Sequence, residues 1–233
     1  MLKIGAISDM HGILEGFTVQ ECDYLFVAGD VVPLKIQTRT KDTYAWVKET
    51  FIPWLESLPV KEKILMVPGN HDLVAERHWD EYKKCFEGHE KIVNLNCEFY
   101  EDNNLKVYGS PMCKIFGNWA FMLSQEEQQS IYDLIPTDAF MDTNKPSFLL
   151  THDAPYGVSD IILQQDCRWA DGSHIGNKVL RDLILRTQPM YNIHGHLHTT
   201  SHEEEFLGKT KVVCVSLLDE NYEVAYEPTY IEV

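Results

Sequence analysis

The chain has 233 residues, 44% of them hydrophobic, and a formal net charge of −16, so it can supply a sizeable core. So acidic a surface repels phosphate backbones, and stable nucleic-acid binding is not expected, although bound cations can reverse the local sign for a small anionic substrate. No apolar stretch reaches the length of a membrane-spanning helix, and "MLKIGAISDM" carries no leader pattern.

Taken in chain order, short apolar runs alternate with amphipathic or loop segments. The runs are "LKIGAIS" (2–8), "YLFVAG" (24–29), "KILMVPG" (63–69), "SFLLT" (147–151) and "MYNIHG" (190–195). Helices are predicted at about 40–58, 75–87, 125–134 and 174–187. The first contains Pro53 and is expected to kink or stop there. The third has Ser124 with Glu127 three residues on, a capping-box pattern. "CEFYE", "LKVYGS", "KVVCVSL" and "EVAYEPTYIEV" read as further strands. The region after residue 200 looks antiparallel, with a turn near Gly208–Lys209. One domain spanning 1–233, with a mixed two-sheet core, fits this pattern better than two. Six cysteines (Cys22, Cys85, Cys97, Cys113, Cys167, Cys214) lack any CxxC spacing. They read as reduced thiols of a cytoplasmic protein.

The chemistry-bearing residues fall at the ends of the apolar runs. The first ends in Asp9 and His11, the second in Asp30 and the third in Asn70, His71 and Asp72. The fourth ends in His152 and Asp153, and the fifth in "HGHLH", with His194, His196 and His198. In open α/β sheets the carboxyl ends of strands meet at the site, so these clusters can converge. Carboxylate, amide and imidazole without thiolate suit Mn or Fe, with Zn also compatible. Seven such ligands exceed one ion's needs and fit two divalent ions sharing a carboxylate, a clamp for in-line displacement at phosphorus. Gly29, Gly69 and Gly195 are expected to let the chain turn where each ligand is delivered.

These five blocks resemble the calcineurin-like metallophosphoesterases, whose pattern is D-x-H, G-D, G-N-H-[DE], H and G-H-x-H, across residues 9 to 198. The resemblance implies a four-layer α/β/β/α sandwich with two mixed sheets. It implies that Asp9, His11, Asp30 and His198 hold one metal. Asp30, Asn70, His152 and His196 would hold the other, with Asp30 bridging. It makes His71 the general acid at the leaving group, with Asp72 orienting it and Asn70 beside the substrate phosphate. His194 precedes the G-H-x-H block and is expected to be structural. The blocks "YGSPMCKIFGNWAF" (108–121), "THDAPYGVSD" (151–160) and "DGSHIGNKVL" (171–180) look similar to small members with cyclic-nucleotide phosphodiesterase activity. They offer Trp119, Tyr156 and His174 as substrate contacts, against the alternative that they only pack loops.

The expected function is therefore hydrolysis of a small phosphodiester such as a cyclic nucleotide, by hydroxide activated at two metals. The alternatives are a phosphomonoesterase or protein phosphatase on the same site, a nuclease and a non-catalytic scaffold. The expected partner is the small phosphoester itself, with no membrane; a homo-oligomer stays open.

Overall fold

A computed structural model describes residues 1–141, 144–163 and 172–233. Cys167 and Asp171 lie outside the described residues. The first strands are β1 (Lys3–Ile7), β2 (Cys22–Val27), β3 (Val60–Met66) and β4 (Ile92–Asn94). Then come β5 (Glu98–Glu101), β6 (Lys106–Ser110) and the short β7 (Cys113–Lys114) and β8 (Met122–Leu123). The last are β9 (Ser147–Thr151), β10 (Tyr191–His194), β11 (Glu205–Leu207), β12 (Thr210–Cys214) and β13 (Thr229–Glu232). The larger sheets run β13-β1-β2-β3-β4 and β11-β12-β10-β9-β6-β5. Both are mixed: β13 is antiparallel to β1, and β12 is parallel to β10 but antiparallel to β11.

Side chains alternate across each strand, and in β1, β2, β9 and β10 both faces are buried, which is why those runs read as continuously apolar. Ile4, Tyr24, Phe26 and Leu65 face Val107, Phe148, Leu150 and Ile193 between the sheets. Ile7, Leu25, Val27 and Ile64 pack outward against Phe51, Ile52 and Tyr82 of the helices on the first sheet. Tyr108, Leu149 and Val212 pack outward against Leu180, Leu183 and Ile184 on the second. This is the expected α/β/β/α sandwich.

The helices depart from expectation in detail. The segment with Pro53 neither stops nor breaks. α1 (Thr40–Trp46) passes into a π-helical turn (Val47–Phe51) and on into α2 (Ile52–Ser57), with the Ile52 N–H reaching back to the Val47 carbonyl. The wider turn lies directly before Pro53, which has no N–H and whose ring crowds the preceding turn. The helix expected at 75–87 is two short ones, α3 (Leu73–Arg77) and α4 (Trp79–Lys84), separated by His78 at φ −141°. α5 (Gln125–Tyr132) carries the Ser124–Glu127 capping box, with both of its hydrogen bonds present. α6 (Lys178–Thr187) starts later than expected, because the Asn177 side chain caps the Val179 and Leu180 amides. In "EVAYEPTYIEV" only Thr229–Glu232 is a strand. Gly208–Lys209 forms the turn between β11 and β12.

No helix among the described residues is long and apolar enough to cross a membrane. The five described cysteines are free.

Candidate metal centre and its surroundings

β1, β2 and β3 are mutually parallel, as are β9 and β10. Each ligand-bearing segment therefore leaves its sheet at the same edge. Asp9, His11, Asp30 and His196 adopt φ values of 56°, 45°, 53° and 70°. Asp and His tolerate this left-handed region better than most residues, yet it costs about 1–3 kcal/mol per residue. It interrupts the extended chain just past β1, β2 and β10.

Gly29, at φ +98°, needs its glycine for conformation and for space, since a Cβ would lie 2.5 Å from His152 Nδ1. Gly69 and Gly195 have no such backbone angle, so the expected turning role fails for them. Their reason is room: a Cβ at Gly69 would overlap the Asp30 carboxylate, and one at Gly195 would overlap Ser8 and Asp9.

Among the described residues, two groups could each hold an ion: Asp9, His11 and His198, and Asp9, Asp30 and His152, with the ligand atoms of each within 4.8 Å of one another. Asp30 Oδ2 lies 3.7 Å from His11 Nε2 and 3.4 Å from His152 Nε2, between the two groups. Asn70 Oδ1 is 2.9 Å from His152 Nε2. His196 joins through its ring, 5.1 Å from that of His152, and through its backbone N–H, which donates to both Asp9 oxygens.

The hydrogen bonds around this cluster orient the ligands. His152 Nδ1 donates to the Ala28 carbonyl at 2.7 Å, and His198 Nδ1 to the Asp219 carbonyl at 2.9 Å. Each Nε2 is thereby turned toward carboxylate or amide oxygen. Ser216 Oγ donates to Asp9 Oδ2 at 2.6 Å.

The donor set fits divalent cations. With its Nδ1 proton on Ala28, a neutral His152 would point its Nε2 lone pair at the Asn70 and Asp30 oxygens. Such an arrangement requires a proton or a metal between them. Burial opposes charging His152, but Asp30 and Asp9 raise it to about 10; burial likewise opposes His198, but Asp9 raises it to about 9. Asp9 and Asp30 are held below the usual carboxylate range despite burial, by His198 and His152 respectively, together with His11. Burial pushes His11 down to about 4 and, with His152, pushes His196 to about 3. These are neutral imidazoles suited to ligation. Both ring nitrogens of His11 are buried without a hydrogen-bond partner.

His71 stands beside this cluster, its ring 5.0 Å from that of His11. Its backbone N–H donates to Asp30 Oδ1 at 2.7 Å, and burial lowers its pKa. The expected orienting contact from Asp72 is not there. The Asp72 carboxylate accepts from the Val31, Val32 and Gly69 amides, tying the second and third ligand loops together. Burial and Asp30 raise it to about 7. Gln37 Oε1 instead meets His71 Nδ1 at 2.8 Å.

Of the three candidate substrate contacts, the structure brings only Trp119 to the cluster, 4.4 Å from the His71 ring. Phe116, from the same β7–β8 loop, lies 5.2 Å from the His196 ring. Tyr156 and His174 lie 5.6 Å from each other. His174 Nδ1 meets Asp160 Oδ1 at 2.6 Å and Lys178 of α6 sits over Tyr156, contacts that pack these segments against one another. His194 is fully buried, with Nδ1 on the Gly195 carbonyl, and burial lowers it to about 4.

Sequence reasoning missed Gln37, Phe116, Ser216 and Tyr222. The Tyr222 ring lies 4.9 Å from His11 and 5.3 Å from His198. Only Phe116 had a signal, in the block that also offered Trp119.

Among curated proteins, the chain is 25% identical to "Probable rhamnogalacturonate lyase C" of Emericella nidulans, over 96% of this chain and 19% of that protein. It is 28% identical to "UPF0046 protein T07D4.2" of Caenorhabditis elegans, over 61% of this chain and 34% of that protein. The chain thus spans about a fifth and a third of these relatives' lengths. A solved dimetal phosphatase from Danio rerio shares the fold at a TM-score of 0.53 and 9% identity, covering 91% of this chain and 86% of that one. The calcineurin-like phosphoesterase family model matches residues 2–200, a range that takes in the strands of the centre and all its candidate ligands, and the chain belongs to that family.

Proposed function

We propose that this chain is a dinuclear metal-dependent phosphoesterase acting on a small phosphodiester, with cyclic nucleotides as the expected class. The observation that carries this reading is Asp30 Oδ2 lying between His11 Nε2 and His152 Nε2, within reach of both imidazole groups. Asp9, His11, Asp30 and His198 would hold one ion. Asp30, Asn70, His152 and His196 would hold the other. When bound, the ions supply Lewis acidity toward phosphoryl oxygen and lower the pKa of water. Imidazole-rich ligation favours Mn or Fe, with Zn compatible, over Mg.

The protein's own part is positioning and proton transfer. Asn70 stands beside the substrate phosphate. His71, oriented by Gln37, gives its proton to the departing oxygen. Trp119 covers His71 and offers a face to the ester's organic part. The five described cysteines are free, which supports a cytoplasmic location.

The test compares bis-p-nitrophenyl phosphate with p-nitrophenyl phosphate after chelation and reloading with Mn or Mg. Mn-dependent diester hydrolysis is the expected result. Turnover of the monoester alone would make the protein a phosphomonoesterase. Turnover of neither, with ions bound, would leave a non-catalytic member.

A further inference from the structure

Beside the candidate metal centre lies a cavity of about 460 Å³, whose walls include His11, Ile13, Leu34, Ile36, Trp46 and Tyr222. This falls within the ordinary range for small-ligand sites. Its walls are mainly hydrocarbon and aromatic. Among the described residues that line it, Lys35 is the charged one, an exposed cation on a chain of net charge −16.

The cavity is joined to the centre by two residues. His11 is at once a candidate ligand and part of the wall. Tyr222 lines the cavity and lies against the rings of His11 and His198. Tyr222 is held there by a tight turn: its N–H donates to the Asp219 carbonyl, the same oxygen that accepts from His198 Nδ1. The turn that orients a ligand histidine thus also sets an aromatic wall. On the other side, Ile36 is the neighbour of Gln37, which orients His71. A group seated here would lie against His11, whose ring is 5.0 Å from that of His71.

We propose that this cavity is the substrate's aromatic subsite, receiving a planar ring carried by the phosphoester with Lys35 at its side. Aromatic walls favour a flat ring through offset or edge contacts as well as burial. The proposal rests on the phosphoesterase reading and deepens it, by making Ile13, Leu34, Ile36, Trp46 and Tyr222 the residues that select a ring of the organic part, in addition to the face that Trp119 offers.

The experiment uses the full chain loaded with Mn and the uncharged probe 1-naphthol, which has the ring but no phosphate. Its binding is read by equilibrium dialysis and by inhibition of 1-naphthyl phosphate and bis-p-nitrophenyl phosphate hydrolysis. Leu34→Trp fills the cavity. It should weaken 1-naphthol about tenfold or more, leaving the melting temperature and inhibition by inorganic phosphate unchanged. Ile13→Trp, from the other segment of the wall, gives the same readout should Leu34→Trp fold poorly. Failure of 1-naphthol to bind the wild type, or equal binding to the filled variants, overturns the subsite. The two readings fail separately. Cavity-dependent 1-naphthol binding without hydrolysis of any phosphoester removes the phosphoesterase reading. Hydrolysis with no cavity-dependent binding removes the subsite alone.

Discussion

The indole of Trp119 lies 4.4 Å from the imidazole of His71, centroid to centroid, the planes tilted by 40°. Trp119 is 37% exposed, so it shields one side of the histidine while remaining open to a ligand. Burial is what lowers His71. Removing the cover in Trp119→Ala should raise its pKa toward the ordinary value. A general acid works only while protonated, so the alkaline limb of the pH profile of kcat/KM should move to higher pH. A profile that keeps its position with only KM altered would confine Trp119 to substrate contact.

His71→Ala should retain both ions and lose about 10²–10⁴ in rate on esters with poor leaving groups. The defect should shrink for p-nitrophenyl esters, whose leaving group departs without a proton. Metal analysis alongside a leaving-group series checks this; a fall in metal content would make His71 a ligand instead.

Asp30→Ala should lose both ions, since Asp30 Oδ2 faces His11 and His152 alike. His194→Ala is the matched control from the histidine-rich segment. It should keep its metal and rate and lose only stability. Metal content by emission spectroscopy, together with melting temperature, separates the two.

Metal affinity should rise with pH. His152 and His198, raised to about 10 and about 9, hold protons at neutral pH in the metal-free protein, and ligation requires their removal. Binding therefore releases protons, and affinity should increase from pH 6 toward pH 9. Calorimetric titration with Mn in buffers of different ionisation enthalpy measures the release. Proton uptake, or none, would contradict the assignment.

Far from the site, Asp102 ties the two sheets together. It accepts from Tyr24 Oη of β2 at 2.6 Å, Tyr100 Oη at 2.8 Å and the amides of Asn104 and Leu105. Burial alone would raise its pKa, but these bonds, Tyr24's first among them, hold it low. A depressed carboxylate stabilises the fold above its unfolded pKa of ~3.9, and that contribution is lost as pH falls through the folded value. Asp102→Asn should therefore be destabilised at pH 7, with the gap to wild type closing in acid. Denaturant midpoints at the two pH values provide the measurement.

Asp9, Asp30, Asn70 and His152 were legible as a site because each follows an apolar run, and parallel strands deliver such ends to one edge. α5 was legible from Ser124 and Glu127, whose cap is local. What could not be read depends on tertiary contact. Gln37 in "PLKIQTRT" has no spacing to mark it, and its role exists only because the β2 and β3 loops meet. Tyr222 meets His11 from 211 positions further along the chain, a contact that only the fold creates. Asp72 looked like a partner for its neighbour His71, but burial drew its oxygens to three backbone amides.

The hydrogen bond from the His71 N–H to Asp30 also bears on how the protein ages. Deamidation of an asparagine begins when the next residue's backbone nitrogen attacks the side-chain carbonyl carbon and closes a succinimide ring. For Asn70 that nitrogen belongs to His71, and it is engaged by Asp30 Oδ1 at 2.7 Å, while Asn70 Oδ1 is held against His152. The attacking atom and the amide it must reach are each committed elsewhere. A residue whose conversion to aspartate would put another negative charge beside Asp30 is thus protected for as long as the chain stays folded, and exposed to that lesion when it unfolds.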